Sequence, residues 1–320
     1  MWQARRLVGV SGVIALSAAM APSAVSAQGS GDSEEGNGAG EVGAMSIYTQ
    51  TAVWDEGTVG VRFAGPNGLT IAADGHVYST EFQGGHLRKF TPDGVLELEV
   101  GGAGTEPGML ANPIGVAVAG DGAIYVSESG SSRVSRFAPD GAFHSAWGGS
   151  GSEPGQFKSA MGIAVSETPE VFVADFGNHR VQVFDGEGRF LREWGQPGSA
   201  PGDLDNPIGL QIGPAGDVWV VDSGNERVQV FSQAGELVRV FDDVGPGPQI
   251  ISLNDAGEFY VSSPWADSKV RHFGPDGDLM GFVGEGLAGP HGTATGLADE
   301  LYVADTANGV IRTFVRSADG

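Results

Sequence analysis

Residues 171–188 read VFVADFGNHRVQVFDGEG, and 47 positions later residues 218–235 read VWVVDSGNERVQVFSQAG. Each stretch sets an acid, an amide and an arginine at fixed spacing: Asp175, Asn178 and Arg180 in the first, Asp222, Asn225 and Arg227 in the second. Such a set could be catalytic, or it could bracket a turn. The flanking runs are short, β-branched and aromatic, and are bounded by Gly, Asn and Asp, as strands joined by tight turns are.

The pattern extends along the chain. An aromatic at the centre of an apolar run recurs as Tyr78, Tyr125, Phe172, Trp219, Tyr260 and Tyr302, at intervals of 47, 47, 47, 41 and 42. A second marker precedes each: Pro66-Asn67-Gly68, Pro113-Ile114-Gly115, Ala160-Met161-Gly162, Pro207-Ile208-Gly209, Pro248-Gln249-Ile250 and Pro290-His291-Gly292. A phenylalanine follows each: Phe90, Phe137, Phe184, Phe231, Phe273 and Phe314. Three markers in one order, six times over, define an internal repeat.

Each unit holds four short strands, in the third unit 162–165, 171–174, 180–184 and 190–194, and Asp-Gly pairs at 93–94, 140–141 and 276–277 mark the last turn of other units. Four-stranded units at this period predict an all-β fold, a six-bladed β-propeller of four-stranded antiparallel blades. No segment carries the sustained helical periodicity of a solenoid. The last unit stops after its third strand, while Ile47–Trp54 precedes the first. Trp54 stands 12 residues before Pro66, much as Trp147 and Trp194 stand 13 before their markers. The N-terminal strand is therefore expected to complete the last blade and close the ring, removing its open strand edges.

Composition bounds the rest. The 54 glycines in 320 residues are more than twice the usual share of about 7%. Arg5 and Arg6, an apolar stretch from Leu7 to Ala21 and the small residues Val25-Ser26-Ala27 predict a signal peptide over 1–27, hence export to the periplasm, cell surface or medium. The alternative, an uncleaved anchor, would need a longer apolar run. Residues 28–45 are Gly, Ser and acid, a disordered linker, and the propeller is expected over 46–320. There is no Cys, so the fold must hold through its core alone. A net charge of −23, with only three lysines, repels phosphate backbones and anionic lipid and argues against nucleic acid as a partner. A monomer without a membrane span after leader removal is expected.

The motifs Pro-x-Gly-Ile-Ala-Val, Val-Tyr-Val-Ala-Asp and Gly-Asn-x-Arg-Val-Gln-Val-Phe, closest in repeats three and four, resemble the NHL-repeat family of six-bladed propellers. The resemblance covers 46–320. It implies the fold but not one function, since similar propellers include RNA-binding domains, sensor domains, lyases of peptide carbinolamides and secreted proteins of unknown role.

Counted around the ring, the acid recurs as Glu81, Glu128, Asp175, Asp222 and Asp305, with Ser263 in the fifth repeat. The basic residue five positions on is Arg133, Arg180 or Arg227, with His86 weakly in the first repeat, Lys269 one residue late in the fifth and Val310 in the sixth. A catalytic group is needed once, so the set reads as a turn bracket, with Asp and Asn bonding turn amides and the arginine fork meeting the carboxylate. The remaining functional reading is a cation held against the ring of acids.

The residue inside Pro-x-Gly begins the innermost strand and should approach the axis. Blades five, six and one carry Gln249, His291 and Asn67 there; blades two, three and four carry Ile114, Met161 and Ile208. A few polar groups facing an apolar wall suit a ligand pocket for a peptide, glycan or small molecule, though the same residues could simply plug the channel. The resemblance to the carbinolamide lyases, which hold zinc through histidines at this position in three blades, is met only at His291, and one imidazole cannot build a three-ligand zinc site. Zinc is therefore disfavoured, calcium through carbonyls and carboxylates near the axis stays open, and a metal-dependent lyase or hydrolase is the alternative to a binding module. His76, His86, His144, His179 and His272 are expected at the surface. No Gly-x-Ser-x-Gly elbow and no Cys nucleophile is present. Trp265 stands where the fifth repeat breaks the Asp-x-x-Asn pattern, either as repeat decay or as a binding loop.

Overall fold

The computed structural model describes residues 48–317. The leader and linker expected over 1–45 lie outside the described residues. β1 (Tyr48–Trp54) is followed by a single helical turn, α1 (Glu56–Val59). Blade one is β2 (Pro66–Ile71), β3 (Val77–Glu81), β4 (His86–Phe90) and β5 (Leu96–Gly101). Blade two is β6 (Pro113–Val118), β7 (Ile124–Glu128), β8 (Arg133–Phe137) and β9 (Phe143–Gly148). Blade three is β10 (Ala160–Val165), β11 (Glu170–Asp175), β12 (Arg180–Asp185) and β13 (Phe190–Trp194). Blade four is β14 (Pro207–Ile212), β15 (Val218–Asp222), β16 (Arg227–Phe231) and β17 (Leu237–Phe241). Blade five is β18 (Ile250–Leu253), β19 (Phe259–Ser263), β20 (Lys269–Phe273) and β21 (Leu279–Val283). Blade six is β22 (Pro290–Thr295), β23 (Leu301–Asp305) and β24 (Val310–Arg316), completed on its outer edge by β1. Every pairing within a blade is antiparallel, and the fold is a six-bladed β-propeller.

The second strand of each blade is buried along its length, apart from Glu170 at the start of β11, because neighbouring blades cover both faces, which explains the apolar run at its centre. In three blades a tryptophan at the end of the outer strand, Trp54, Trp147 or Trp194, seals one blade to the next. Trp147 sits edge-on to Tyr125 of its own blade and tilts against Phe184 of blade three. Trp54 makes the equivalent pair with Tyr302 of blade six and Phe90 of blade one. β1 thus does for blade six what an outer strand does elsewhere, and its register runs Tyr48 to Arg316 through Trp54 to Ile311.

The clasp contains a polar network that the sequence reading did not anticipate. His272, expected at the surface, is fully buried on β20. Its Nε2 lies 3.2 Å from Glu258, its Nδ1 lies 3.3 Å from the Tyr48 hydroxyl, and that hydroxyl shares a 2.7 Å hydrogen bond with the Tyr260 hydroxyl. Burial pushes the His272 pKa down, opposed by the Glu258 carboxylate. The reason is positional: His272 is in the third strand of its blade, paired with Tyr260, and β1 covers it. No helix among the described residues is long and apolar enough to cross a membrane.

Removing residues 46–54 should cost the whole ring its cooperative unfolding, because it opens blade six and uncovers the first blade's core. Trp54→Ala should lower stability by about 3–5 kcal/mol, the range for a buried tryptophan. Urea denaturation checks both; an unchanged cooperative transition in the truncated chain contradicts the clasp role.

Candidate functional site

The loop face of the ring is built on the acid that ends the second strand. Glu81, Glu128, Asp175, Asp222 and Asp305 have no solvent exposure. Each accepts the backbone N–H of the residue two before its inner strand: Ala64, Ala111, Lys158, Asp205 and Ala288, at 2.6–2.8 Å. In blades two, three and four the guanidinium Nε of Arg133, Arg180 or Arg227 donates to the same carboxylate at 2.8–2.9 Å. Asn178, Asn225 and Asn308 donate their side-chain amides to it at 2.8–2.9 Å. The outer nitrogens of the arginines cap carbonyls of the preceding connection, Arg180 reaching Glu153 and Gln156, and Arg227 reaching Ser199, Ala200 and Asp203.

In the other three blades the basic partner is not the residue at the aligned position. Arg88 pairs with Glu81, and Arg312 with Asp305 at 2.7 Å, each two residues beyond His86 or Val310. In blade five Arg271 meets Ser263 and Asp267, while Lys269 lies over the ring of Phe282. A strand has period two, so positions two apart share one face and either can reach the acid. The connections entering blades five and six are shorter, which produces the intervals of 41 and 42, and there the arginine stands at the later position.

At the axis, neighbouring inner strands meet backbone to backbone. A Cβ on Gly68 would lie 2.2 Å from the carbonyl oxygen of Ile114, and one on Gly292 would lie 2.0 Å from that of Asn67. No side chain fits there, which is why the marker ends in glycine in five of the six repeats, the fifth carrying Ile250. A hydroxyl before the acid stitches three of these junctions. Thr80 accepts from Gly68 N–H and donates to the Ile114 carbonyl, Ser127 bridges Gly115 and Met161, and Ser262 donates to the His291 carbonyl at 2.7 Å. The repeat markers do not include these residues; their signal is Thr or Ser immediately before the acid position in repeats one, two and five.

The six residues inside the marker lie at the starts of the inner strands, all buried except half-buried Gln249. Ile114, Met161 and Ile208 share one apolar cluster, with Phe82, Phe176 and Ile250 packed on it. Across the axis Asn67, Gln249 and His291 make no side-chain hydrogen bond to any described residue. His291 is only 8% exposed, and its burial without a counter-charge pulls its pKa down to about 4. Trp265, 72% exposed, stands edge-to-face on it with ring centroids 4.9 Å apart. Two features far apart in the repeat are thus brought together: Trp265 lies in a loop of blade five, His291 begins blade six, and Ser262 binds the two blades between them. Deeper on the axis a cavity of about 50 Å³, lined by Thr70, Gln211, Ser252, Thr293 and Thr295, has room for little more than water. Among the described residues no three His, Asp or Glu side chains are grouped to hold a metal.

Ring and repeats define the class, a six-bladed β-propeller. The family model of the NHL repeat matches residues 110–137, 157–184 and 204–231, the first three strands of blades two, three and four. The chain is an NHL-repeat propeller. No curated protein sequence matches it. Among solved structures, a streptogramin B lyase superposes with a TM-score of 0.63 at 15% identity, over 84% of this chain and 97% of that one. A gluconolactonase from Xanthomonas campestris gives 0.62 at 16%, over 79% and 86%, and a nidogen/laminin complex 0.60 at 17%, over 72% and 84%. At these identities the likeness is one of fold.

Asp175→Ala should cost about 3–5 kcal/mol by leaving the Arg180 guanidinium buried and unpaired, and Asp175→Ala with Arg180→Met should recover much of that loss in chemical denaturation. His291 should titrate near pH 4 by NMR. The unfolded chain accepts this proton near pH 6.5, so the stability tied to neutral His291 is complete above that pH and is lost as pH falls toward 4. A His291 midpoint at or above pH 6 contradicts the assignment.

Proposed function

We propose that this propeller is a binding module whose ligand sits at the axial mouth, against the polar arc of Asn67, Gln249 and His291 and the facing wall of Ile114, Met161 and Ile208, with Trp265 at the rim. One observation carries the reading. An imidazole nine-tenths buried, with no hydrogen-bond partner among the described residues, lies beneath a tryptophan that is mostly exposed. The ring nitrogens of His291 and the carboxamides of Asn67 and Gln249 are not among the side-chain atoms sealed from solvent without a partner, so their hydrogen-bonding capacity stays open at the mouth for a ligand. A large exposed aromatic beside such groups is the composition of a recognition site. The acids do not compete for this role, since each is filled by its own blade's amides and guanidinium.

The leader over 1–27 and the linker over 28–45 support export to the periplasm, cell surface or medium, with the propeller acting there as a monomer. The ligand class is a peptide, glycan or small molecule, and the acidic surface disfavours nucleic acid.

A second reading, a metal-dependent lyase or hydrolase on the axis, draws on the likeness in fold to the streptogramin B lyase and the gluconolactonase and on His291 as a single ring donor. Metal analysis of the purified protein separates the two. The binding module is expected to carry no stoichiometric metal, whether or not His291 is changed to Ala; one equivalent of metal, lost in His291→Ala, favours the enzyme.

A further inference from the structure

Resting on the axial reading, we propose that the ligand is an uncharged glycan, taken by its terminal ring, which stacks on Trp265 while its hydroxyls bond Asn67, Gln249 and His291. The first ground is charge. None of the residues at the mouth carries one: the polar arc is two carboxamides and an imidazole that burial keeps neutral, and the opposite wall is aliphatic, with Phe82 and Phe176 packed on it. The ring of acids just behind is buried and paired with arginines of the same blades. An anionic ligand would find no cation in the mouth and would meet the field of a chain with net charge −23. A cationic ligand would find only Asp267 of the Trp265 loop, whose carboxylate is already closed on Arg271.

The second ground is hydrogen-bond type. Each carboxamide offers a carbonyl acceptor and an NH₂ donor side by side, and a neutral imidazole offers one of each. A sugar hydroxyl donates and accepts at once, so neighbouring hydroxyls on a pyranose edge match such pairs. The three side chains stand in consecutive blades and have no bonds of their own to give up.

The third ground is shape. Extended peptides bind along an open sheet edge, a helix groove or a row of aromatic slots. The mouth has none of these: it is bounded by the starts of the inner strands, and those strands are paired on one side and packed backbone to backbone around the axis. A single flat indole, 72% exposed and in T-shaped contact with the His291 ring, is a platform for one ring. Its electron-rich face suits the polarised C–H bonds of a pyranose.

The test uses the propeller with its clasp strand on a glycan array of neutral and anionic members, followed by titration of each neutral binder against Trp fluorescence. Neutral oligosaccharides should bind and perturb the fluorescence. Trp265→Ala, an exposed change that leaves the core intact, should weaken binding about tenfold or more, as loss of an interface anchor does. Gln249→Glu, which puts a charge in the arc at almost unchanged shape, should do the same, with wild-type unfolding midpoints in both variants. Binding of no neutral glycan, or of anionic ones alone, overturns the proposal. The axial reading then stands or falls separately on a neutral peptide library and a small-molecule library: a binder lost in Trp265→Ala and Gln249→Glu keeps the mouth as the site with a different ligand. A glycan bound equally well by both variants overturns both, since it binds elsewhere.

Discussion

In five of the six blades a carboxylate sits in the protein interior with no contact to solvent, and the loop face of the ring is organised around it. A charge in that position is tolerable only if it is paired and its lone pairs are filled. The backbone N–H before the inner strand fills one oxygen, and guanidinium and amide groups fill the other. The acid thereby fixes three things relative to one another: the turn after its own strand, the start of the inner strand, and, through arginine in blades two to four, the connection from the previous blade. An acid–amide–arginine set of this kind has no capacity left for a substrate.

From that constraint the axis follows. With the strand starts held, adjacent inner strands approach until their backbones touch, which glycine permits at Gly68 and Gly292. The mouth is then lined by whatever side chain precedes the glycine, one from each blade. The arginine stands at the later position in blades five, six and one, the same three blades that contribute Gln249, His291 and Asn67. Blades two, three and four keep the earlier arginine, the long connections and the aliphatic wall. The ring is regular in backbone and divided in chemistry, and the broken turn that exposes Trp265 falls on the polar side.

Much of this was legible in the sequence because repetition turns weak local signals into strong ones. Asp175-x-x-Asn178-x-Arg180 alone is ambiguous between chemistry and structure; recurring around the chain it becomes a turn. The ring closure was readable from the missing last strand and from the matching offset of Trp54. What repetition hid was the exception. Arg88 and Arg312 replace the aligned His86 and Val310, because two positions on one strand face are equivalent to a buried acid but not to an alignment. His272 was expected at the surface and is enclosed by the clasp strand, which joins it from the opposite end of the chain.

The sequence by itself determined the architecture: blade number, strand count, the closing strand and the residues that begin each inner strand. These follow from periodicity, which a linear sequence carries in full. Only the tertiary structure decided that Trp265 and His291 form one feature, that Asn67, Gln249 and His291 keep their hydrogen-bonding groups free of the protein, and that the recurring acids have theirs filled. Contacts between residues of different blades depend on how the ring brings them round, and partner satisfaction is a property of three-dimensional neighbours that spacing does not encode.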